Sequence, residues 1–213
     1  MEKNTVLLIF IKILSFPLQL ISNFFEYFKI DNIDKDIEKS LEIIDKYSSL
    51  NIDEKFIDIL IIAEDRRNSF HYGIDPIAII RAIKVKFLKN IYQGASTIEQ
   101  QFVRVVSSRY EKTYYRKIRE QLLAIAVSKK RDKINISKAY LLIAYYGYNL
   151  EGIKAIETIC GTNLVNAKID DIIELVSRLK YPQPKIINKK WVSKIQKRNF
   201  YIKEMINKNK PLN

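Results

Sequence analysis

A chain of 213 residues, 47% hydrophobic and 29% charged, is long enough for one domain with a real core and too apolar to be disordered. Its single cysteine, Cys160, excludes an internal disulfide framework and a cysteine-based zinc site. A balance of 37 Lys and Arg against 24 Asp and Glu gives a net charge of +13, which asks for an anionic partner: nucleic acid, acidic lipid or a phosphorylated substrate. Gly 5 and Pro 5 leave few breakers, and the Tyr, Phe and Ile residues sit mostly at helical spacings, so the fold class expected is mainly α.

The first element raises the membrane question. From Val6 to Ile21 nearly every residue is apolar, interrupted by Lys12, Ser15, Pro17 and Gln19. A lysine near mid-span costs about 2.5–3.5 kcal/mol on an insertion scale and each Leu, Ile or Phe returns roughly 0.3–0.6, so insertion comes out near break-even. Lys12, Ser15, Gln19, Ser22 and Glu26 recur at steps of three and four and draw a polar stripe down one helix face. Residues 1–28 are therefore expected to form either a transmembrane anchor with a polar stripe or an amphipathic helix in the interface, with a buried core helix as the bland alternative. No small-residue cleavage site follows, so a removed signal peptide is not expected. Lys3 before the segment and Lys29, Lys35 and Lys39 after it leave its orientation open.

Residues 29–54 carry Leu41, Ile44 and Tyr47 at helical spacing and predict a short connecting helix. No repeat or low-complexity linker divides the remainder, so 55–213 is expected to be a single domain. From Phe56 to Arg66 an apolar helix (Phe56, Ile59, Leu60, Ala63) delivers Glu64 and Asp65 near its C-terminal end. The dipole favours cations there, and with partial burial it suits Glu64 to act as a base near neutral pH. The structural alternative is an ion pair from Glu64 or Asp65 to Arg66 or Arg67. The only histidine, His71, lies a few residues on. Asp75-Pro76 reads as cap and first helical residue, and the helix it opens is expected to turn Ile77, Ile80 and Phe87 inward.

The stretch Gly94-Ala95-Ser96-Thr97-Ile98-Glu99-Gln100-Gln101 reads as a flexible turn running into a helix, with Ser96 and Glu99 spaced as a capping box. Orphan N–H groups and the positive dipole end make such a start receptive to phosphate. Ile98, Phe102 and Val105 mark a buried stripe, and Thr97, Gln100, Gln101, Arg104 and Ser108 share the other side. A helix is predicted over Tyr114–Lys130, with Tyr115, Ile118, Leu122 and Ile125 as its core stripe and Arg116, Lys117 and Glu120 in one exposed sector. By itself Arg116–Glu120 is a surface pair worth about 0.2–0.5 kcal/mol. Against a pyrophosphate, Arg116 and Lys117 become charge-assisted ligands and Glu120 their partner or a metal ligand. A carboxylate base beside an anion site is what glycosyl transfer from a sugar pyrophosphate requires.

Toward the end, Pro182 and Pro184 close one helix, and Trp191–Asn207 forms another with Val192, Ile195, Ile202 and Ile206 on one side. Lys189, Lys190, Lys194, Lys197, Arg198 and Lys203 supply a basic surface for acidic headgroups, each worth roughly 1 kcal/mol. No nucleic-acid partner is expected, since no recognised module or set of stacking aromatics is present.

Taken together these residues resemble the peptidoglycan glycosyltransferases of glycosyltransferase family 51, found alone or as the first domain of bifunctional penicillin-binding proteins. The matching marks are Glu64-Asp65-Arg66-Arg67 with His71, Gly73 and Asp75, then Gly94-Ala95-Ser96-Thr97-Ile98 with Gln100, Gln101 and Arg104. Arg116-Lys117 with Glu120, Tyr140-Leu141 with Gly147, and Gly152-Ile153 follow in the same order over roughly residues 55–205. The chain stops where a transpeptidase domain would begin, which resembles the monofunctional type. Asn68 stands where the family usually has Phe, Leu142 where Asn commonly follows Tyr-Leu, and Thr158-Ile159-Cys160-Gly161 only loosely echoes Tyr-Phe-Gly-Lys.

The resemblance implies a lysozyme-like glycosyltransferase fold with an N-terminal membrane-associated helix, working on the outer face of the bacterial inner membrane. It implies polymerisation of lipid II, with the growing glycan on undecaprenyl pyrophosphate as donor and cell-wall transpeptidases as partners. By that carry-over Glu64 is the general base on the acceptor sugar's 4-hydroxyl, giving a β-1,4 bond with inversion. Glu120 supports the pyrophosphate side, directly or through Mg2+ or Mn2+. Asp65, Arg66, His71, Ser96, Thr97, Gln100, Gln101, Arg104, Arg116 and Lys117 make up the substrate-binding set. Two other classes stay open: a lysozyme-like hydrolase using Glu64 as general acid, and a catalytically silent scaffold that keeps the shape.

Overall fold

The computed structural model describes residues 2–209. The chain sorts into two compact units: everything up to Lys46 with Arg67–Ile136, and Tyr47–Arg66 with the chain from Ser137 onward.

The first unit holds helices α1 (Glu2–Tyr27), α2 (Ile33–Ser48), α4 (Pro76–Lys89), α5 (Ile98–Ser107) and α6 (Tyr114–Lys130). The core runs along α6, where every residue from Leu122 to Val127 is buried. Helix α1 packs on one side of it and α5 on another. A stretch buried all round needs apolar or small residues at consecutive positions, which Leu122-Leu123-Ala124-Ile125-Ala126-Val127 provides. Gly73 presses its loop against this helix at φ +78°; an added Cβ would meet the Ala124 carbonyl and stand 2.7 Å from the Ile125 nitrogen.

Helix α1 is inverted relative to a soluble helix. The polar stripe faces the fold: Ser15 and Ser22 are fully buried, and Ser22 Oγ donates to the Leu122 carbonyl at 2.9 Å. Glu26 pairs with Lys130 at 2.8 Å, and the Lys12 ammonium stands 5.8 Å from the centre of the Tyr72 ring. Val6, Ile9, Phe10, Ile13, Phe16, Leu20, Ile21 and Phe24 face outward. A window of mean hydropathy 2.0 within Thr5–Tyr27, only 17% buried, makes α1 long and apolar enough to cross a membrane. That exposure removes the core-helix alternative. Helix α4 behaves likewise. Asp75 Oδ1 caps it by accepting from the Ala78 N–H at 2.9 Å, with Pro76 first in the helix, as expected. Ile80 and Phe87, expected inward, instead lie outward, Phe87 at 85% exposure, and Ile83 and Leu88 join them. The reason is that α4 has α1 for a neighbour on one face only, so an apolar sequence is left with a bare face.

In the second unit, α3 (Lys55–Glu64), α8 (Gly152–Cys160), α9 (Ile169–Lys180) and α10 (Lys189–Asn209) gather around α9, whose Ile172, Ile173, Leu175 and Val176 are buried. The division between units falls within α7 (Lys133–Ile143). A hairpin of β1 (Tyr145–Gly147) and β2 (Leu150–Glu151) follows it. Gln183 bonds to both sides of Gly147: its N–H donates to the Tyr146 carbonyl at 2.9 Å and its carbonyl accepts from Tyr148 at 2.8 Å. The close approach, with Gly147 at φ +144°, leaves no room for a Cβ. Leu142, where the resemblance leads one to look for Asn, is a core residue.

Candidate active site

The first unit assembles a cationic cluster on α5 and α6. Glu120 lies in the second turn of α6 and is buried, not solvated as its sector of the helix suggested. Arg104 from α5 grips its carboxylate with two bonds, Nε to Oε2 at 2.8 Å and Nη2 to Oε1 at 3.0 Å. Arg116 Nη1 donates to Oε2 at 2.6 Å and Lys117 Nζ to Oε1 at 2.5 Å. Tyr115 and Ile118, expected in the core, are the exposed members instead, because the first turns of α6 bury the Glu120 side. Lys117 Nζ also donates to Ser96 Oγ and Gln100 Oε1, both at 2.9 Å. Arg104 Nη2 lies 3.4 Å from the same Ser96 oxygen.

Three positive charges thus surround one negative charge. Burial alone would raise the Glu120 carboxyl, but the Arg104 hydrogen bonds and the Lys117 charge outweigh it and hold it below the usual carboxylate range. Burial lowers Lys117 below an ordinary lysine; Glu120 pulls it back up, while Arg104 and Arg116 push it further down. Two buried donors at the cluster, Gln100 Nε2 and Arg116 Nε, have no acceptor among the described residues. Surplus cations with unpartnered donors suit a polyanion. They do not suit a divalent ion at Glu120, whose two oxygens already accept from cations.

The helix start differs from the expected capping box. Thr97, not Ser96, caps α5: its Oγ1 accepts from the Gln100 N–H at 3.2 Å and donates to the Gly73 carbonyl at 2.7 Å. A hydroxyl that meets both a helix end and the neighbouring loop outcompetes one serving the end alone, and it leaves Ser96 to Lys117. Glu99 does not reach back. It is buried, bonded to Lys133, and 3.4 Å from Asn68 Nδ2. Lys133 Nζ stands 3.4 Å from Nδ1 of the buried His71. Gln101 donates its N–H to the Thr97 carbonyl within the first turn. Arg67 is committed to Asp75 at 2.7 Å.

The second unit holds Glu64, the last residue of α3. Its partner is neither Arg66 nor Arg67. Arg198 on α10, buried, donates from Nη2 to Glu64 Oε1 at 2.6 Å and to the Ala63 carbonyl at 2.7 Å. This fixes the carboxylate at the helix end, with 15% of the side chain exposed. Asp65 is buried at the cap of α3, and Arg66 is exposed with Nη1 3.8 Å from Met205 Sδ. Of the cationic residues expected at a pyrophosphate, Arg104, Arg116 and Lys117 come together with Ser96, Gln100 and Glu120 in one unit. Glu64, Asp65 and Arg66 belong to the other. Arg198, Lys133 and Glu99 were not among the expected site residues. A hint existed for Arg198: α10 is otherwise lysine-rich, and a single guanidinium there marks a place needing a fork of donors.

A family model described as Transglycosylase matches residues 34–206. Penicillin-binding protein 1A of Aquifex aeolicus is 34% identical over 157 residues, 73% of this chain and 22% of that protein. Penicillin-binding protein 1A of Escherichia coli is 39% identical over 105 residues, 49% of this chain and 12% of that protein. Penicillin-binding protein 1B of Haemophilus influenzae is 33% identical over 138 residues, 62% and 18% of the two chains. The chain spans less than a quarter of the length of these relatives.

Proposed function

Because the chain belongs to the transglycosylase family, we propose that it is a peptidoglycan glycosyltransferase that polymerises lipid II. The observation that carries this reading is the cluster around Glu120, where Arg104, Arg116 and Lys117 present more positive charge than one carboxylate balances, beside the unpartnered donors of Gln100 and Arg116. A hydrolase acting on finished glycan has no use for such a cluster, whereas a departing pyrophosphate does.

In this mechanism Glu64 Oε accepts the proton of the acceptor sugar's 4-hydroxyl as that oxygen attacks the anomeric carbon of the donor. The bond from that carbon to the phosphate oxygen breaks on the opposite face, giving a β-1,4 linkage with inversion. The electron pair leaves on undecaprenyl pyrophosphate, whose charge Arg104, Arg116 and Lys117 stabilise. Arg198 orients the base. A positioned base supplies typically about 10²–10⁴-fold, so orientation and charge stabilisation carry the larger share. On this reading the enzyme works at the bacterial inner membrane with its catalytic residues on the outer face, near the lipid-linked substrates and cell-wall transpeptidases, and the outward apolar side chains of α1 and α4 support the membrane part of it.

Purified chain supplied with lipid II tests the proposal. Polymer is expected from the unaltered protein, with a loss of at least about 10²-fold in Glu64→Gln. Undiminished turnover in Glu64→Gln removes the base from its role. Cleavage of finished glycan without polymerisation overturns the transferase reading in favour of a hydrolase, and neither activity leaves a scaffold.

A further inference from the structure

We propose that the second unit carries a site for the phosphate of an anionic phospholipid, in the groove between the end of α9 and the first turns of α10. The groove has a volume of about 410 Å³. Tyr181 and Trp191 wall it, Lys180, Lys190 and Lys194 open onto it, and no carboxylate among the described residues lines it. None of the three lysines is ion-paired among the described residues. Elsewhere on α10, Arg198 pairs with Glu64 at 2.6 Å and Lys203 with Asp170 at 2.8 Å.

The walls are built, not incidental. Trp191 Nε1 donates to the carbonyls of Tyr181 and Pro182, both at 3.0 Å, which locks the indole. The Arg178 guanidinium lies 5.5 Å from the indole centre, and Arg178 is itself buried and held by Glu174 at 2.8 Å. Lys180 and Lys194 stand 5.7 and 5.6 Å from the Tyr181 ring centre, one from each helix. Asn188 Oδ1 accepts from the Trp191 N–H at 2.9 Å and closes the end of α10.

Beside the groove, Ile186 and Ile187 are 77% and 55% exposed, between Lys185 and Lys189. That pair decides the occupant. A water-soluble phosphorylated sugar or an acidic peptide would engage the lysines but would leave two bare isoleucines unexplained. A phospholipid uses both: its phosphate sits among the ammonium groups, and the isoleucines enter the acyl boundary next to it, with Trp and Tyr at headgroup depth. This site is separate from the transferase chemistry, and its failure would leave that reading untouched.

Trp191 is the single tryptophan, so its fluorescence reports on the groove alone. The full chain is placed in nanodiscs of phosphatidylcholine, with or without phosphatidylglycerol. The emission is expected to move to shorter wavelength, and to become quenchable by brominated acyl chains, only when phosphatidylglycerol is present. Raised salt should reverse the shift. The phosphatidylglycerol fraction needed for half the effect should rise about five-fold for each of Lys180→Gln, Lys190→Gln and Lys194→Gln. Ile186→Asn with Ile187→Asn should abolish the acyl quenching; all five side chains are exposed, and circular dichroism confirms that the variants remain folded. Equal emission in the two kinds of disc, or an unchanged response in the triple lysine variant, overturns the proposal. So does the same shift produced in detergent by inorganic phosphate or by a soluble acidic glycan, either of which would make the groove a site for free anions.

Discussion

Around Glu120 the excess of positive charge has a signature in pH. Lys117 sits below the ordinary lysine value, so over the window between its folded and ordinary values the folded chain has released a proton that the unfolded chain keeps. Stability therefore rises with pH through that window, while the charge offered to a pyrophosphate falls. We predict an alkaline limb of turnover that begins below the ordinary lysine range and moves upward in Lys117→Arg, since guanidinium stays charged; a pH profile of polymerisation measures both. For Glu120 the folded value is depressed, so its stabilisation is present above the usual carboxylate range and is lost as pH falls through the folded value. Glu120→Gln should flatten that acid dependence and cost about 1–3 kcal/mol in denaturant unfolding, below the roughly 3–5 kcal/mol of fully buried pairs because Arg104 and Lys117 are about a third exposed. At Cys160, burial pushes the thiol up to about 12, so iodoacetamide should label it slowly at neutral pH in the folded chain and readily in denaturant. At this scale the sequence showed which residue types belonged to the cluster. It could not show that Glu99 and Asn68 would meet, or that Glu64 would choose Arg198 over its neighbours, because these pairings span 31 and 134 positions.

Helices were the most legible elements. Helix α6 occupies the predicted Tyr114–Lys130, and Asp75-Pro76 opens α4. What escaped was the direction of faces. Periodicity locates an apolar stripe, but it cannot say whether protein or lipid will cover it, and so Ile80 and Phe87 were expected inward. The cap of α5 moved by one residue because Thr97 has a tertiary partner in Gly73. Gly73→Ala should accordingly be among the most damaging small changes, since φ +78° and the α6 backbone both oppose a side chain. A fall in melting temperature well beyond that of Gly94→Ala, where a Cβ would meet nothing, is the expected outcome. The exit of α1 is similar in kind: Lys29, Asp31 and Asn32 all take positive φ. Asn32→Gly should be neutral or stabilising. Asp31→Gly should instead destabilise, because Arg109 and Arg119 lose their shared carboxylate.

For the whole chain, the order of residues and the order of packing differ. Tyr47–Arg66 joins the chain beyond Ser137, so α3 finds its neighbours α9 and α10 across more than a hundred positions. Local patterns carry no information about such a return, whereas the family resemblance carries it implicitly through the spacing of its motifs. A fragment of residues 137–213 should therefore be largely unfolded alone, with the apolar face of α9 bare, and should gain helicity when a peptide of residues 47–66 is added; far-UV circular dichroism reads both. The charge of +13 likewise acquires a location. Part of it is gathered at Glu120, and part lies at the groove between α9 and α10, where Lys180, Lys190 and Lys194 converge with the locked indole of Trp191.

The two faces of α1 carry one more implication. Ser22 hangs on the carbonyl of Leu122, only two residues beyond Glu120 in the same helix, while Phe16, Leu20 and Phe24 on the reverse side are exposed. With the proposed membrane setting as premise, bilayer thickness becomes an effector. On that reading, stretching or compressing the hydrocarbon slab shifts the depth at which that helix rests, and the displacement reaches α6 through Ser22 and through the Glu26–Lys130 pair, on the helix that carries Glu120. Turnover should follow acyl length even when headgroup and substrate concentration are held constant.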